Sequence, residues 1–275
     1  MRLETLKTKV GLLIEKAQSG GGGLPDWDDD SPIIASGQGS DKNSTWEITE
    51  KGTLRWKIVT DTTNNKTGFS STNLYAILNN SPDYAKNAYK VRQAYVSDGF
   101  ETVTLNCLPN CERVRIPVGV DKFSTVMIGL KEIDLSGVGM LNDYQCNNFY
   151  TLEKATLNPL WTTLNRDSFN NCVSLRIINL ENITEFKSNC LSGTINLDEV
   201  VFNEGLISLA SAAFQQSGIK KAVFRNSTDS LPTIANNTFN NCNLLRDIFV
   251  PWAEGAVANA PWGATNATIH YNSEV

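Results

Sequence analysis

The side chains in this sequence with reactive chemistry are few and scattered. There is one histidine, His270, among 275 residues. Hydrolysis by a Ser-His-Asp or Cys-His pair would have to be built around it. It lies on an alternating stretch, Thr268-Ile269-His270-Tyr271, that predicts an edge strand and a surface histidine. The six cysteines are Cys107, Cys111, Cys146, Cys172, Cys190 and Cys242. Cys107 and Cys111 are spaced like half a zinc site, but a second half is missing, so no metal is expected. Asp26, Asp28, Asp29 and Asp30 place four carboxylates in five positions. Calcium would use such oxygens, but the spacing is not that of a twelve-residue calcium loop and Pro25 and Pro32 bracket it. A solvated linker is the better reading. No phosphate-cradling glycine loop, dinucleotide fingerprint or Gly-x-Ser-x-Gly turn is present. No catalytic residue, cofactor or metal ligand is assigned. Carboxylate pairs for glycoside hydrolysis exist in every chain and point to nothing here.

The elements that would have to position any site are repetitive. An apolar-x-x-apolar-x-apolar pattern recurs from Val91 to Val250. Its clearest copies begin at Leu130, Leu152, Leu175, Leu197, Ile219 and Leu245. Looser copies begin at Val91 and Cys111. A second apolar row follows at constant phase: Leu164 before Phe169, Phe186 before Leu191, Leu209 before Phe214 and Ile234 before Phe239. A period of 19 to 26 residues with rows in fixed phase predicts a solenoid whose coils must stack to bury a shared core. Four of the six cysteines fall on or beside these interior rows, so reduced, buried thiols are expected.

Phe169-Asn170-Asn171-Cys172-Val173-Ser174-Leu175 and Phe239-Asn240-Asn241-Cys242-Asn243-Leu244-Leu245 resemble the Phe-x-x-Cys-x-x-Leu step of BspA-like leucine-rich repeats. The turn Glu204-Gly205-Leu206 leading to Phe214 is similar to the same family's. Trp46 through Trp56 is similar to its entry hairpin. The resemblance covers roughly residues 44 to 272 and departs from the family at Cys146, where Phe is usual. It implies a leucine-rich-repeat solenoid, α/β or mainly β. The segment after Val250 resembles the end of such proteins in phage and prophage genomes. That likeness implies a virion component, a tail, baseplate or head fibre, that touches a host protein or glycan. A bacterial cell-surface adhesin is the alternative, and a glycan-active enzyme a distant third.

Along the chain, residues 1–18 carry Leu3, Leu6, Val10 and Leu13 at 3-4 spacing, an apolar helix seam. The seam predicts attachment to other virion proteins or self-association, and fibre proteins that look like this suggest a trimer. Residues 19–44 are rich in Gly and Asp and predict a flexible linker. Residues 45–90 form the cap of the solenoid: a Trp46–Trp56 hairpin, then an irregular loop. Repeats fill 91–250, and 251–275 closes the far end with Trp252 and Trp262.

The net charge is −5 with both signs interspersed. Nucleic-acid binding needs a basic surface, and none is present. No apolar run is long enough to insert in a membrane. Met1-Arg2-Leu3 opens directly into the helix pattern rather than a secretion leader, as suits a virion protein made in the host cytoplasm.

In each repeat strand the first, fourth and sixth positions should face the core and the third and fifth should face outward. The fifth positions turn apolar toward the C-terminus at Val201, Val223 and Phe249. That stripe, with Ile177 and Asn179 beside it, is the candidate binding face. Phe249 is its anchor.

Overall fold

The computed structural model describes residues 28–38, 44–58, 72–73, 87–96, 102–104, 110–116, 120, 122–124, 129–139, 142–143 and 145–273. The helix seam of Leu3, Leu6, Val10 and Leu13 lies outside them, as does Cys107. The chain divides into two compact units, Met1–Val138 and Gly139–Val275. Both are mainly β. Among the described residues the one helical element is a 3-10 turn, Ala88–Lys90.

The N-terminal unit begins with antiparallel pairing and ends with parallel coils. Ser44–Thr49 and Thr53–Ile58 form the expected hairpin, with Trp46 opposite Trp56 and Ile48 opposite Leu54. Apolar side chains two residues apart share one face of a strand, and all four are buried. Gly52 turns the hairpin at φ +91°, where a Cβ would sit 2.3 Å from the Lys90 carbonyl oxygen. Glycine is therefore required there. From Thr53–Ile58 the sheet continues in parallel through Gln93–Val96, Arg113–Arg115 and Glu132–Leu135. A second small parallel sheet joins Thr72–Asn73, Thr102–Thr104 and Lys122–Ser124.

Three expectations for this unit need correction. Ile33–Gln38, assigned by composition to the linker, is an edge strand paired with Ser44–Thr49. Asp29 is not a solvated linker residue, being only 3% exposed. One of its carboxylate oxygens accepts hydrogen bonds from the Thr49 and Thr53 hydroxyls, each at 2.5 Å, and the other accepts the Ser31 amide at 2.9 Å. Those donors are what an isolated buried carboxylate lacks, so the charge survives burial. The loop expected over 60–90 also contributes the Thr72–Asn73 strand.

The C-terminal unit is built from coils with three sides. One side carries Lys154–Leu157 paired with Ile177–Ile178, and then Glu199–Phe202, Lys221–Phe224, Asp247–Phe249 and Thr268–His270 paired in series. The second side joins Thr163–Leu164, Glu185–Phe186, Ser208–Leu209 and Thr233–Ile234. The third is a ladder of turns, in which Phe169, Leu191 and Phe214 donate their amides to the carbonyls of Cys190, Ala213 and Thr238 in the next coil. These turns use left-handed residues, often two to a turn, as with Asp167 and Asn171, Asn189 and Gly193, and Ala212 and Gln216. Asn and Gly tolerate that conformation best.

The core between the sides is aromatic. Phe186 meets Phe202 edge-on at 5.5 Å, Phe202 and Phe224 lie 4.5 Å apart, and Phe224 meets Trp252 at 5.4 Å. Trp252 and Trp262 are both buried, and both pack against Phe224. The closing segment also adds a strand, Thr268–His270, to the parallel sheet.

Candidate functional site: the outward face of the parallel sheet

In the C-terminal unit the fifth-position row forms in register, Val201 beside Val223, Val223 beside Phe249, and Phe249 beside His270. The third-position row runs Glu199, Lys221, Asp247, Thr268 along the same strands. The apolar stripe is nonetheless not the open surface expected. Val223 is 1% exposed, because a short side chain flanked in register by Val201 and Phe249 is screened from solvent. Phe249 itself is half-buried. Its ring stacks on the His270 imidazole at 4.4 Å with 11° between planes, and the Lys221 ammonium lies 5.5 Å from its centre. His270 Nε2 is 2.8 Å from Asp247 Oδ1, and Lys221 Nζ is 3.1 Å from Glu199 Oε1.

The histidine therefore stacks on the Phe249 ring beside Asp247, with the Lys221 ammonium near the same ring. Its carboxylate partner is Asp247, and the nearby hydroxyl of Ser273 donates to the His270 backbone carbonyl rather than to the ring. The arrangement offers charged and stacked groups for recognition, and among the described residues no hydroxyl or thiol is bonded to the imidazole.

Ile177 and Asn179 do different work from that expected of a shared face. Ile177 stands out at 60% exposure, beside Lys154 in register. Asn179 is spent on the fold. Its Oδ1 accepts the Leu157 amide at 2.6 Å and its Nδ2 donates to the Leu157 carbonyl at 3.2 Å. The side-chain amide copies a backbone ladder rung. Asn203 and Asn226 act similarly, donating across coils to the Ile183 and Leu206 carbonyls at 2.8 Å each. The recurrence of Asn just after the strands was the signal available for this, and the apolar pattern drew attention from it.

The corresponding face of the N-terminal unit is an ion-pair lattice. Arg92 holds Glu112 at 2.8 Å, Lys131 reaches the same carboxylate at 2.7 Å, and Arg115 holds Asp134 at 2.7 Å. Asp134, expected outward, is buried. Burial alone would raise its carboxyl, but the Ser136 hydroxyl and amide and the Arg115 guanidinium outweigh that and hold it below the usual range. Glu112 is lowered against the same opposing burial by Lys131 and Arg92.

Cys111, Cys146, Cys172, Cys190 and Cys242 are all buried, and the last four are free thiols. Desolvation pushes the Cys172 thiol up to about 12 and raises those of Cys146, Cys190 and Cys242 as well, so they are core fillers rather than nucleophiles. Among the described residues no group of three or more His, Cys, Asp or Glu side chains could hold a metal ion, and no helix is long and apolar enough to cross a membrane.

Comparison with known proteins agrees with the coil pattern. Residues 118–246 match the BspA type leucine rich repeat region in six copies. Among solved structures, a leucine-rich repeat protein from Bacteroides ovatus is similar at 16% identity, covering 89% of this chain and 77% of that one, with a TM-score of 0.39. One from Eubacterium ventriosum is 13% identical over 78% of each chain, with a TM-score of 0.32. A leucine rich cell surface protein from Faecalibacterium prausnitzii is 13% identical over 90% of this chain and 96% of that one, with a TM-score of 0.21. No curated protein matches the chain.

Proposed function

We propose, from the match of residues 118–246 to the BspA type leucine rich repeat region, that the chain is a non-enzymatic binding module that recognises a partner protein or glycan with the outward face of its parallel sheet. The observation that carries this reading is the Phe249 ring, stacked on His270 and approached by the Lys221 ammonium, with Asp247 and Glu199 as the carboxylate partners of those two side chains. Strand pairing consumes the backbone of these residues, so their side chains are left for contact. Ion pairs at an exposed face contribute little to folding, whereas arrays of charge with an aromatic anchor suit recognition. Fold alone assigns no ligand.

The test is binding of the intact chain to glycan arrays and to intact bacterial and epithelial cells, compared with Phe249→Ser and with Lys221→Glu. The reading holds if either variant loses binding while keeping its melting temperature. It fails if both bind as the parent chain does.

Two settings were drawn from the sequence, and the binding module is common to both. On a virion, residues 1–18 would attach the module to other virion proteins or join it into a trimer through Leu3, Leu6, Val10 and Leu13. On a bacterial cell surface the module would act as an adhesin. The family match supports the module and adds nothing in favour of the virion. Antibody labelling of intact producing cells, set against purified particles, assigns the setting. Light scattering of the full chain and of a chain starting at Ser44 tests the seam, and equal oligomeric states would remove the role given to residues 1–18.

A further inference from the structure

The parallel sheet of the C-terminal unit is interrupted at one place. Ile177–Ile178 pairs with Lys154–Leu157, and Glu199–Phe202 pairs with Lys221–Phe224. No strand pairing joins Ile177–Ile178 to Glu199–Phe202, although they occupy consecutive coils. Every other junction of this kind in the unit also has an entering backbone bond. Arg176 donates its amide to the Glu153 carbonyl, Lys220 to Asp198, Arg246 to Lys220 and Thr268 to Arg246. At the interrupted junction the corresponding bond from Asp198 to Arg176 is missing among the described residues.

The same two coils are fully joined on their other sides. Glu185 pairs with Ser208 and Phe186 with Leu209. Leu191 and Gly193 donate to the carbonyls of Ala213 and Gln215 at 2.9 and 2.8 Å. On the interrupted side the coils are tied at the ends of the seam by side chains. Asn196 Nδ2 donates to the Val173 carbonyl at 2.7 Å, and Asn203 Nδ2 donates to those of Glu181 and Ile183 at 3.0 and 2.8 Å.

A local cause is visible. The fifth position is Thr156, Val201, Val223 or Phe249 in the laddered strands and Asn179 at the seam. Asn is a poor strand former, and this one turns its amide back onto Leu157 in the preceding coil. The core registers the effect. The fourth-position side chains Ala155, Val200, Ala222 and Ile248 are buried, whereas Ile178 is only half-buried.

We infer that this seam is a one-sided hinge built into the repeat stack. The coils at Leu175 and Leu197 stay joined along two sides and part along the third. Opening breaks two asparagine arms and no backbone ladder, so it belongs to the local, sub-global class of motions. It uncovers Val200 and Ile178 and changes the curvature of the outward sheet. The hinge does not depend on what that face binds.

The test compares two added cysteines, each introduced singly into the full chain and read by its own labelled peptide, Val200→Cys at the seam and Ala222→Cys at the equivalent position of a laddered strand. Val200 and Ala222 are both buried, so a rigid stack would protect both thiols alike. The hinge predicts that V200C reacts with a thiol reagent about ten-fold or more faster than A222C under native conditions. Adding Asn179→Val to V200C, to favour strand pairing, should slow that reaction. Native-state hydrogen exchange gives a readout free of substitutions, with amides of 177–180 and 199–202 exchanging faster than those of 221–224 and 247–249. Equal labelling of V200C and A222C, or equal protection of the two amide sets, overturns the hinge.

Discussion

The two units close the ends of their stacks by opposite means. In the N-terminal unit the terminal strand is latched by a buried carboxylate. Asp29 binds two threonine hydroxyls, and Gln93 Nε2 extends the network by donating to the Thr53 hydroxyl at 2.9 Å. In the C-terminal unit two tryptophans cover the last coil, with Phe224 at 5.4 Å from Trp252 and 6.1 Å from Trp262. The outward faces differ in the same sense. One is an arginine–carboxylate lattice, and the other sets its charges around an aromatic ring. A repeat stack thus needs its end closed, but the chemistry of closure is free. A polar closure ties stability to protonation, and an apolar one does not.

The largest effect that separates the two closures is expected at Trp262. Trp262→Ala removes a fully buried side chain and should cost about 3–5 kcal/mol. Chemical denaturation followed by circular dichroism would show it, and a loss below about 1 kcal/mol would mean that the last coil does not depend on its aromatic lid.

Asp29 comes next. Asp29→Ala leaves the Thr49 and Thr53 hydroxyls without their acceptor and should cost about 2 kcal/mol at neutral pH. The sign of its pH dependence follows from the direction of the shift. Burial pushes the carboxyl up, but the Thr49, Thr53 and Ser31 donors outweigh it and hold the group well below the usual range. The stabilisation is therefore present above the ordinary aspartate value of about 4 and is lost as pH falls below it. The advantage of the parent chain over Asp29→Ala should shrink on going from pH 7 to about pH 3, whereas the deficit of Trp262→Ala should not shrink with it. Matching pH profiles for the two variants would erase the contrast between closures.

The outward row sharpens the comparison further. Val201→Ser, Val223→Ser and Phe249→Ser together should lower the melting temperature by several degrees, because Val223 is buried and a lone hydroxyl there costs about 1–3 kcal/mol. Ile177→Ser, at a side chain that is mostly exposed, should stay within about 0.5 kcal/mol of the parent. A triple variant as stable as the parent would mean that Val223 is not part of the packing.

The smallest structural perturbation is a label. The five buried thiols should resist a thiol reagent in the native chain and react after denaturation. Rapid native labelling of Cys172 or Cys190 would show that the coil interior is open.

Much of the architecture was legible in the spacing of apolar residues. The repeat starts, the second row and the Trp46–Trp56 hairpin all lie where the pattern put them, because a stack of coils can bury its apolar sides in only one phase. Ile33–Gln38 was hidden because Gly37 and Ser36 read as linker, while the pairing that makes it a strand comes from Ser44–Thr49. Gly37 is itself required, since a Cβ there would lie 2.8 Å from the Trp46 ring. Asp29 was hidden because its partners stand 20 and 24 residues away, and a run of carboxylates reads as solvated. At the candidate site, alternation gave the correct facing of Val201 and Phe249 but not the burial of Val223, which depends on neighbours one coil away. It also gave no means of separating Asn179, a substitute for backbone, from the side chains available for contact.

The ladder of turns has a consequence for inheritance. Leu191 and Phe214 each bond to the coil one period along, and among the described residues no coil holds a backbone partner two periods away on that side. A coil is thus a self-contained cassette. Unequal crossing-over at the DNA level, deleting or duplicating one period such as residues 197–218, would join like surfaces to like. Lineages carrying this gene can therefore change the length of the displayed surface by whole coils in a single recombination event, while both ends remain closed as they are.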